Sequence, residues 1–336
     1  MILVTGSTGL VGSHLLYKLI SNGEKVRAIY RTERKLDNIK QVFSCYTDSY
    51  TPLFDSIEWV QADILDIPSL TDAFEGVSYV YHCAAFVSFE PDKYQLLRKT
   101  NIEGTANVVN LCISEKIKKL CYVSSIATIG TLDDTEMLTE ESEWNPEASN
   151  NVYAITKYGA EMEVWRAAQE GLDIVMVNPG VILGAGIWRY GSGSLFKKAH
   201  HGFKHYTAGS IGLVDVKDVV SVMIKLTKSD ITNERFILIA ESWSYKDFLR
   251  DISISVNTSP PKKLAPQWLL QIAWRLDWLT HKLTGKRRQL TKHLVTSLST
   301  KKSYDTTKIK SYLNFEFKPV KDSITEIGTL YLKQVE

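Results

Sequence analysis

Cysteine is scarce in this chain. Cys45, Cys83, Cys112 and Cys121 are the only four in 336 residues, with no Cys-x-x-Cys pair and no histidine at zinc-ligand spacing. A disulfide scaffold and a zinc module are therefore excluded, and the four read as reduced, mostly buried thiols of a cytoplasmic protein. An excess of one charge is missing too, since 40 Lys and Arg stand against 38 Asp and Glu, a net +2. Nucleic-acid binding as the main task would call for a strong basic excess. No uncharged apolar run reaches transmembrane length, and neither an internal repeat nor a low-complexity tract occurs. The opening Met1-Ile2-Leu3-Val4-Thr5-Gly6 runs straight into a strand and leaves no room for a signal peptide. What remains, 44% hydrophobic and 23% charged residues, reads as a soluble globular chain long enough for a substantial core.

Short apolar runs at 2–5, 25–30, 58–62, 77–84, 118–125 and 173–178 alternate with helical patterns near 10–22, 68–75, 92–115 and 151–170. Residues 31–55 are a polar stretch. Nearly continuous apolar strands separated by helices predict an α/β fold, a doubly wound parallel sheet covered on both faces. Ligands of such sheets bind at the carboxyl ends of the strands. Beyond Pro179 the pattern loosens. A glycine-rich irregular stretch fills 184–212, a helix is expected over 214–227 and a strand over 235–240, and the chain is mainly helical from about 244.

The turn after the first strand reads Gly6-Ser7-Thr8-Gly9-Leu10-Val11-Gly12. A first residue without Cβ permits the tight turn, a second lets backbone approach a pyrophosphate, and a third lets helix and strand pack closely. The N-terminus of the following helix then offers free N–H groups and partial positive charge to phosphates. Residues 1–178, with 211–242 returning to them, are thus expected to form a dinucleotide-binding Rossmann domain. Residues 179–210 and 243–318 are expected to form a smaller, mainly helical substrate lobe, followed by a C-terminal helix at 319–336. No metal site is expected.

Gly-x-x-Gly-x-x-Gly resembles the extended short-chain dehydrogenase/reductase superfamily, the NAD-dependent epimerase/dehydratase family. Further matches are Ala84-Ala85, Asn101-Ile102-Glu103-Gly104-Thr105, Val123-Ser124-Ser125-Ile126-Ala127-Thr128-Ile129-Gly130, Tyr153-Ala154-Ile155-Thr156-Lys157, Asn178-Pro179-Gly180-Val181 and Asp215-Val216-Lys217-Asp218. Within it the chain looks most like dihydroflavonol reductases and hydroxysteroid dehydrogenases. The resemblance implies a catalytic set of Ser125, Tyr153 and Lys157. It also implies cofactor contacts from Gly6, Thr8, Gly9, Leu10, Val11, Gly12, Asp63, Ile64, Ala84, Ala85, Pro179 and Val181, besides Tyr153 and Lys157.

Hydride transfer to a carbonyl leaves an alkoxide that must be protonated. An ammonium one helical turn from a phenol contributes about 4 kcal/mol at ~4 Å, enough to pull a tyrosine from pKa ~10 toward neutrality. Lys157 is therefore expected to tune Tyr153, with Ser125 holding the substrate oxygen. At the end of the second strand, Ala28-Ile29-Tyr30-Arg31 has no carboxylate for the 2′-hydroxyl of NAD, whereas Arg31 suits the 2′-phosphate of NADP. NADP is expected, with NAD as the alternative.

The expected activity is oxidoreduction of a hydrophobic ketone, aldehyde or secondary alcohol. A nucleotide-sugar epimerase or dehydratase with tightly bound NAD is one alternative, disfavoured by Ile126-Ala127 where sugar dehydratases carry Asp-Glu. A catalytically silent dinucleotide-sensing protein is another, disfavoured by the intact catalytic set. Trp188, Tyr190, Phe196, Phe203 and Tyr206 are equally substrate or core aromatics. The resemblance implies a homodimer through helices near 101–115 and 152–169, for which Val108, Leu111, Cys112, Trp165 and Ala168 offer apolar surface. Residues 264–293 read as a helix with Trp268, Ile272, Leu276, Leu279 and Leu283 on one face and Leu270, Trp274 and Trp278 on another. It is either a lid over the substrate cleft or a membrane-surface helix.

Overall fold

A computed structural model describes residues 1–130, 137–285, 288 and 290–335. Seven strands form its main sheet: β1 (Ile2–Thr5), β2 (Val26–Tyr30), β3 (Glu58–Gln61), β4 (Tyr79–His82), β5 (Lys119–Val123), β6 (Ile174–Pro179) and β7 (Glu234–Leu238). Their order is β7-β6-β5-β4-β1-β2-β3, and every neighbouring pair is parallel. All residues of β1 and β6 are buried, as strands covered on both faces must be. The chain moves outward from β1 through β3 and then crosses back to β4. A crevice therefore opens between the carboxyl ends of β1 and β4, where strand order reverses.

The helices that position the site are α1 (Leu10–Ser21), α2 (Gly104–Ser114), α3 (Val152–Gln169) and α4 (Val216–Lys228). Leu15, Leu16, Leu19, Val220 and Met223 of α1 and α4 meet Val4, Tyr81, Val175 and Val177 on one sheet face. Val108, Cys112, Ala160, Val164 and Ala167 of α2 and α3 meet Leu3, Val80, Tyr122, Ile174 and Met176 on the other. Adjacent strand residues such as Leu3 and Val4 thus feed opposite cores, as period-two alternation requires.

A second core lies around a three-stranded sheet of Val181–Leu183, Ser210–Asp215 and Glu241–Ser244. Helices Gly193–His200, Tyr245–Ser255 and Val320–Val335 close it with Phe196, Phe248, Ile252, Ile324, Ile327 and Tyr331. The C-terminal helix is thus built into this core. Ile309 and Phe315, by contrast, return to the first core.

Several local expectations change. The polar stretch 31–55 contains helices Leu36–Ser44 and Thr51–Asp55, the first of which buries Ile39, Val42 and Phe43. Residues 210–215 are a strand, and the expected helix starts only at Val216, where the Asp215 carboxylate accepts the Lys217 N–H at 2.7 Å. The helix expected over 92–115 is broken into a 3₁₀ turn at Pro91–Lys93, an α turn at Tyr94–Leu97 and a π segment at Arg98–Glu103 before α2 begins.

Candidate active site

The turn between β1 and α1 is shaped by close backbone approach. Gly6 has φ +65°, and a Cβ there would sit 2.5 Å from the backbone of Cys83 and Ala84. At Gly12 a Cβ would fall 2.3 Å from the Gly6 carbonyl oxygen. The Ser7 hydroxyl is tied to the Ile29 carbonyl at 2.6 Å, and Asn38 donates to the Thr8 carbonyl at 3.5 Å. Gly9 occupies the N-cap of α1 and has no side chain to bond the N–H groups that open at Leu10 and Val11. A phosphate-sized anion fits that cradle, which has uncapped donors and no Cβ to exclude it. Ser124, beside Ser125, buries a hydroxyl without a partner among the described residues, a second feature that a bound polar group would satisfy.

The other sequence-selected positions fall around the crevice with unequal opportunity. Arg31 follows β2, is half exposed, and lies 3.7 Å from the Asp63 carboxylate. Asp63 also accepts the Leu65 N–H at 3.0 Å. The Ile64 side chain is buried against Gly104 and its carbonyl accepts from Asn107, so its side chain is a packing element. Ala84 abuts Gly6 and donates to the Thr5 hydroxyl at 3.3 Å, and Ala85 is exposed. Pro179 ends β6 in the core, and Val181 opens the next strand opposite Leu213. Among the aromatic candidates, Phe196, Trp188 and Phe203 pack in the second core. Tyr190 bonds Asn38 beside the glycine turn, and Tyr206 lies under Lys246.

The Ser125 hydroxyl lies close enough to the Tyr153 phenol to act on its titration. Ser125 also caps the next turn by accepting the Ala127 N–H at 3.1 Å. Asn151 caps α3 by accepting from Ala154 at 2.9 Å, and so fixes where Tyr153 leaves the helix. Lys157, one turn on and fully buried, donates to the Val123 carbonyl at 2.8 Å and to the Tyr122 hydroxyl, and lies over the Tyr122 ring 4.2 Å from its centroid.

This arrangement corrects the expected tuning. Burial pushes the Tyr153 phenol up to about 12, with the Ser125 hydrogen bond pulling the other way. Burial brings Lys157 down to about 7, against the opposing field of Glu161. Desolvation sets both shifts, and the ammonium is engaged with Tyr122 and Val123 instead of the Tyr153 phenol.

Sequence reasoning passed over the groups that hold Lys157. Tyr122 is fully buried and stacks on His82 at 5.4 Å. The His82 ring nitrogens bond the hydroxyls of Thr5 at 2.6 Å and Thr105 at 2.9 Å, and burial holds the imidazole down to about 3. Glu161, one turn beyond Lys157 and fully buried, accepts from Asn178 at 2.6 Å and Thr128 at 2.7 Å, with Arg235 at 3.5 Å. Spacing of four along 153, 157 and 161 was a legible signal for Glu161. Asn101, in the π segment, accepts from the Phe86 N–H and donates to the Phe86 carbonyl and Thr156 hydroxyl, and so clamps the loop after β4 to α3. From that loop, Phe89 stands edge-on to Tyr153 at 5.6 Å. Among the described residues no cluster of His, Cys, Asp or Glu could hold a metal ion.

A family model described as the NAD dependent epimerase/dehydratase family matches residues 2–238. The chain belongs to this family and is an NAD(P)-dependent enzyme of the extended short-chain type. It is 30% identical to a protein of Synechocystis sp. named as a dihydroflavonol 4-reductase, over 81% of this chain and 77% of the other. It is 27% identical to sterol demethylase protein B of Methylococcus capsulatus, over 85% and 84%. The fold superposes on UDP-glucose 4-epimerase of Thermotoga maritima with TM-score 0.76 at 21% identity, covering 100% and 99%.

The buried lysine makes stability depend on pH. Below about pH 7 Lys157 is charged in both folded and unfolded chains and the desolvation penalty is complete; above its ordinary 10.5 it is neutral in both. The folded state binds fewer protons in between, so this group's contribution to stability rises with pH. Relative to Lys157→Met, the wild type should gain about 2–4 kcal/mol between pH 6 and pH 10 in urea unfolding. A difference that stays flat over this range would contradict the burial of that charge.

Proposed function

We propose that the chain is an NADP-dependent cytoplasmic oxidoreductase that moves a hydride between nicotinamide and a hydrophobic ketone, aldehyde or secondary alcohol. The observation that carries this reading is Ser125 close to Tyr153, one turn from a buried Lys157, at the strand ends beside a glycine cradle open to phosphate. The turn from Gly6 to Gly12 would hold the pyrophosphate, Arg31 the 2′-phosphate, Asp63 and the Ile64 backbone the adenine edge, Ala84 and Ala85 the wall, Pro179 and Val181 the nicotinamide end, and Lys157 the ribose. The bound cofactor supplies or accepts the hydride. Ser125 holds the substrate oxygen, and Tyr153 gives it a proton. With burial holding its phenol up, Tyr153 carries at neutral pH the proton that carbonyl reduction requires.

An apolar substrate is supported by Phe89 against Tyr153 and by relatives named for flavonoid and sterol chemistry. The segments 179–210 and 243–318 are read as the substrate lobe, apart from Ile309 and Phe315, which pack in the first core. The NAD-bound epimerase reading gains no support from the site, where Ile126 and Ala127 follow Ser125. A silent sensor gains none either.

Tyr153→Phe should lower kcat more than tenfold while the NADPH Kd changes less than about threefold, since only the proton route is lost. A variant that keeps over a tenth of wild-type kcat would refute the role given to the phenol.

NADPH should bind about ten- to a hundredfold more tightly than NADH, the worth of a charge-assisted pair to phosphate, and Arg31→Ala should erase most of that margin. Equal Kd values for the two cofactors in the wild type would overturn the preference.

A homodimer is proposed through the outer faces of α2 and α3. Val108 and Cys112 face the sheet, while Ile155 and Met162 stand exposed beside half-buried Trp165, Ala168 and Leu111. Light scattering should give the mass of two chains at micromolar concentration, and Met162→Glu should shift it toward one.

A further inference from the structure

Helix α5 (Gln267–Thr284) buries none of its residues. Trp268, Ile272, Leu276, Leu279 and Leu283, spaced four, four, three and four residues apart, make one continuous stripe. The stripe points outward, with Trp268 65%, Leu276 58% and Leu283 75% exposed. Exposed Arg275 and Lys282 flank it on one side. The opposite face holds the helix to the protein through half-buried Leu270, Ala273 and Trp274, through Asp277, which accepts the Leu290 N–H and lies 3.7 Å from Arg288, and through His281, 3.7 Å from Asp92. The lid arrangement would need the apolar stripe turned inward, and it faces away.

Charge says what covers it. Residues 260–310 contain twelve Lys and Arg against two Asp and no Glu, in a chain of net +2. The basic surplus of the whole molecule thus lies in the sequence segment that carries the stripe, and the remaining residues are net acidic. Within that segment Lys308 is paired with Glu234 and Arg288 is turned toward Asp277, so Arg275 and Lys282 are the cations set beside the stripe on α5 itself. Lys286 and Arg287, which contribute to the surplus, lie outside the described residues. No described helix is long and apolar enough to cross a membrane. An amphipathic helix with large apolar side chains on one face and a basic flank lies in the plane of an anionic bilayer, with its stripe at the boundary between headgroups and acyl chains.

We infer that α5 docks the protein on an anionic lipid surface through Trp268, Ile272, Leu276, Leu279 and Leu283, with Arg275 and Lys282 against the headgroups. His281, on the face opposite the stripe, meets Asp92 three residues beyond Phe89, which stands edge-on to Tyr153, so the docking helix is anchored to the same loop that borders the candidate catalytic pair. Delivery of an apolar carbonyl from that surface rests on the function proposed above; docking itself does not.

The full chain is sedimented with phosphatidylcholine vesicles carrying roughly 30% phosphatidylserine at physiological ionic strength, and with phosphatidylcholine alone. Wild type should pellet at least about tenfold more on the anionic vesicles. Ile272→Glu with Leu276→Glu should abolish that pelleting, leave the circular-dichroism spectrum in place and keep kcat on a water-soluble carbonyl within about twofold. Arg275→Glu with Lys282→Glu, which leaves the stripe intact, should weaken binding to anionic vesicles alone. Tyr153→Phe should pellet like wild type, so a failed catalytic reading would not mask the docking result. No pelleting of wild type, equal pelleting on both vesicles, or a wild-type dimer that the Ile272/Leu276 variant dissociates in sedimentation velocity would overturn the proposal. The last outcome would assign the stripe to a second copy of the chain.

Discussion

The arrangement at the strand ends depends on one expensive placement, an ammonium buried between β5 and α3. Lys157 has two close acceptors, the Val123 carbonyl and Tyr122, and among the described residues no carboxylate within ion-pair distance. Such a charge is tolerated only where its surroundings are fixed, because each donor must find its acceptor without water to compensate. The surroundings are fixed accordingly. Tyr122 is held by the stacked His82, and His82 is pinned by Thr5 and Thr105, so the carboxyl ends of β1, β4 and β5 and the start of α2 are joined through buried side chains. Glu161 adds the compensating field from the next turn, and its own charge is distributed over Asn178, Thr128 and Arg235. Because Thr128 also donates to the Ser125 carbonyl and Asn178 does the same, the groups that stabilise Glu161 also position Ser125. Charge burial and the geometry of the serine turn are thereby one problem with one solution.

The glycine turn obeys a different constraint, backbone proximity. At Gly6 and Gly12 the neighbours are main-chain atoms that cannot swing aside, so a methyl group at either position has nowhere to go. The same close approach brings Ala84 under Gly6 and seats the loop after β4 against the turn. Asn101 then carries this loop to α3. A straight helix across 91–114 would present Asn101 differently; the π segment adds the extra residue per turn that lets it reach both Phe86 and Thr156.

Much of this was legible in the sequence, and what was not has identifiable causes. The main-sheet strands declared themselves because a strand covered on both faces must be apolar at every position, and the 2–5 and 173–178 runs are. The glycine turn was visible as spacing, and Ser125, Tyr153 and Lys157 were singled out by the family resemblance. Helix Leu36–Ser44 was hidden because it buries only one narrow edge, Ile39, Val42 and Phe43, within a polar segment. Strand 210–215 was hidden because its apolar residues run without a break into those of the following helix. The partners of Lys157 were out of reach because Tyr122, His82, Thr5 and Thr105 lie far apart in the chain and meet only through sheet order. The shift of the Tyr153 phenol was misjudged for a related reason. Spacing on a helix shows that two side chains share a face, and says nothing of a nearer acceptor on a neighbouring strand.

Helix α5 shows the limit of reasoning from amphipathicity in the other direction. Periodicity gives a stripe but not which way it faces, since a stripe that seals a core and a stripe that meets lipid have the same spacing. Orientation is decided by the opposite face, and here that face contains the polar anchors. Asp277 accepts a backbone N–H, lies near Arg288 and carries its charge against the protein, while His281 reaches Asp92. Turning the helix over to bury the stripe would strip these contacts and expose Leu270 and Trp274 in exchange, so the anchors and the apolar face specify one orientation together. The charges on the helix support the same orientation, because exposed Arg275 and Lys282 run along one edge of the stripe. An apolar ridge edged by two cations presents itself to a negatively charged surface ridge first.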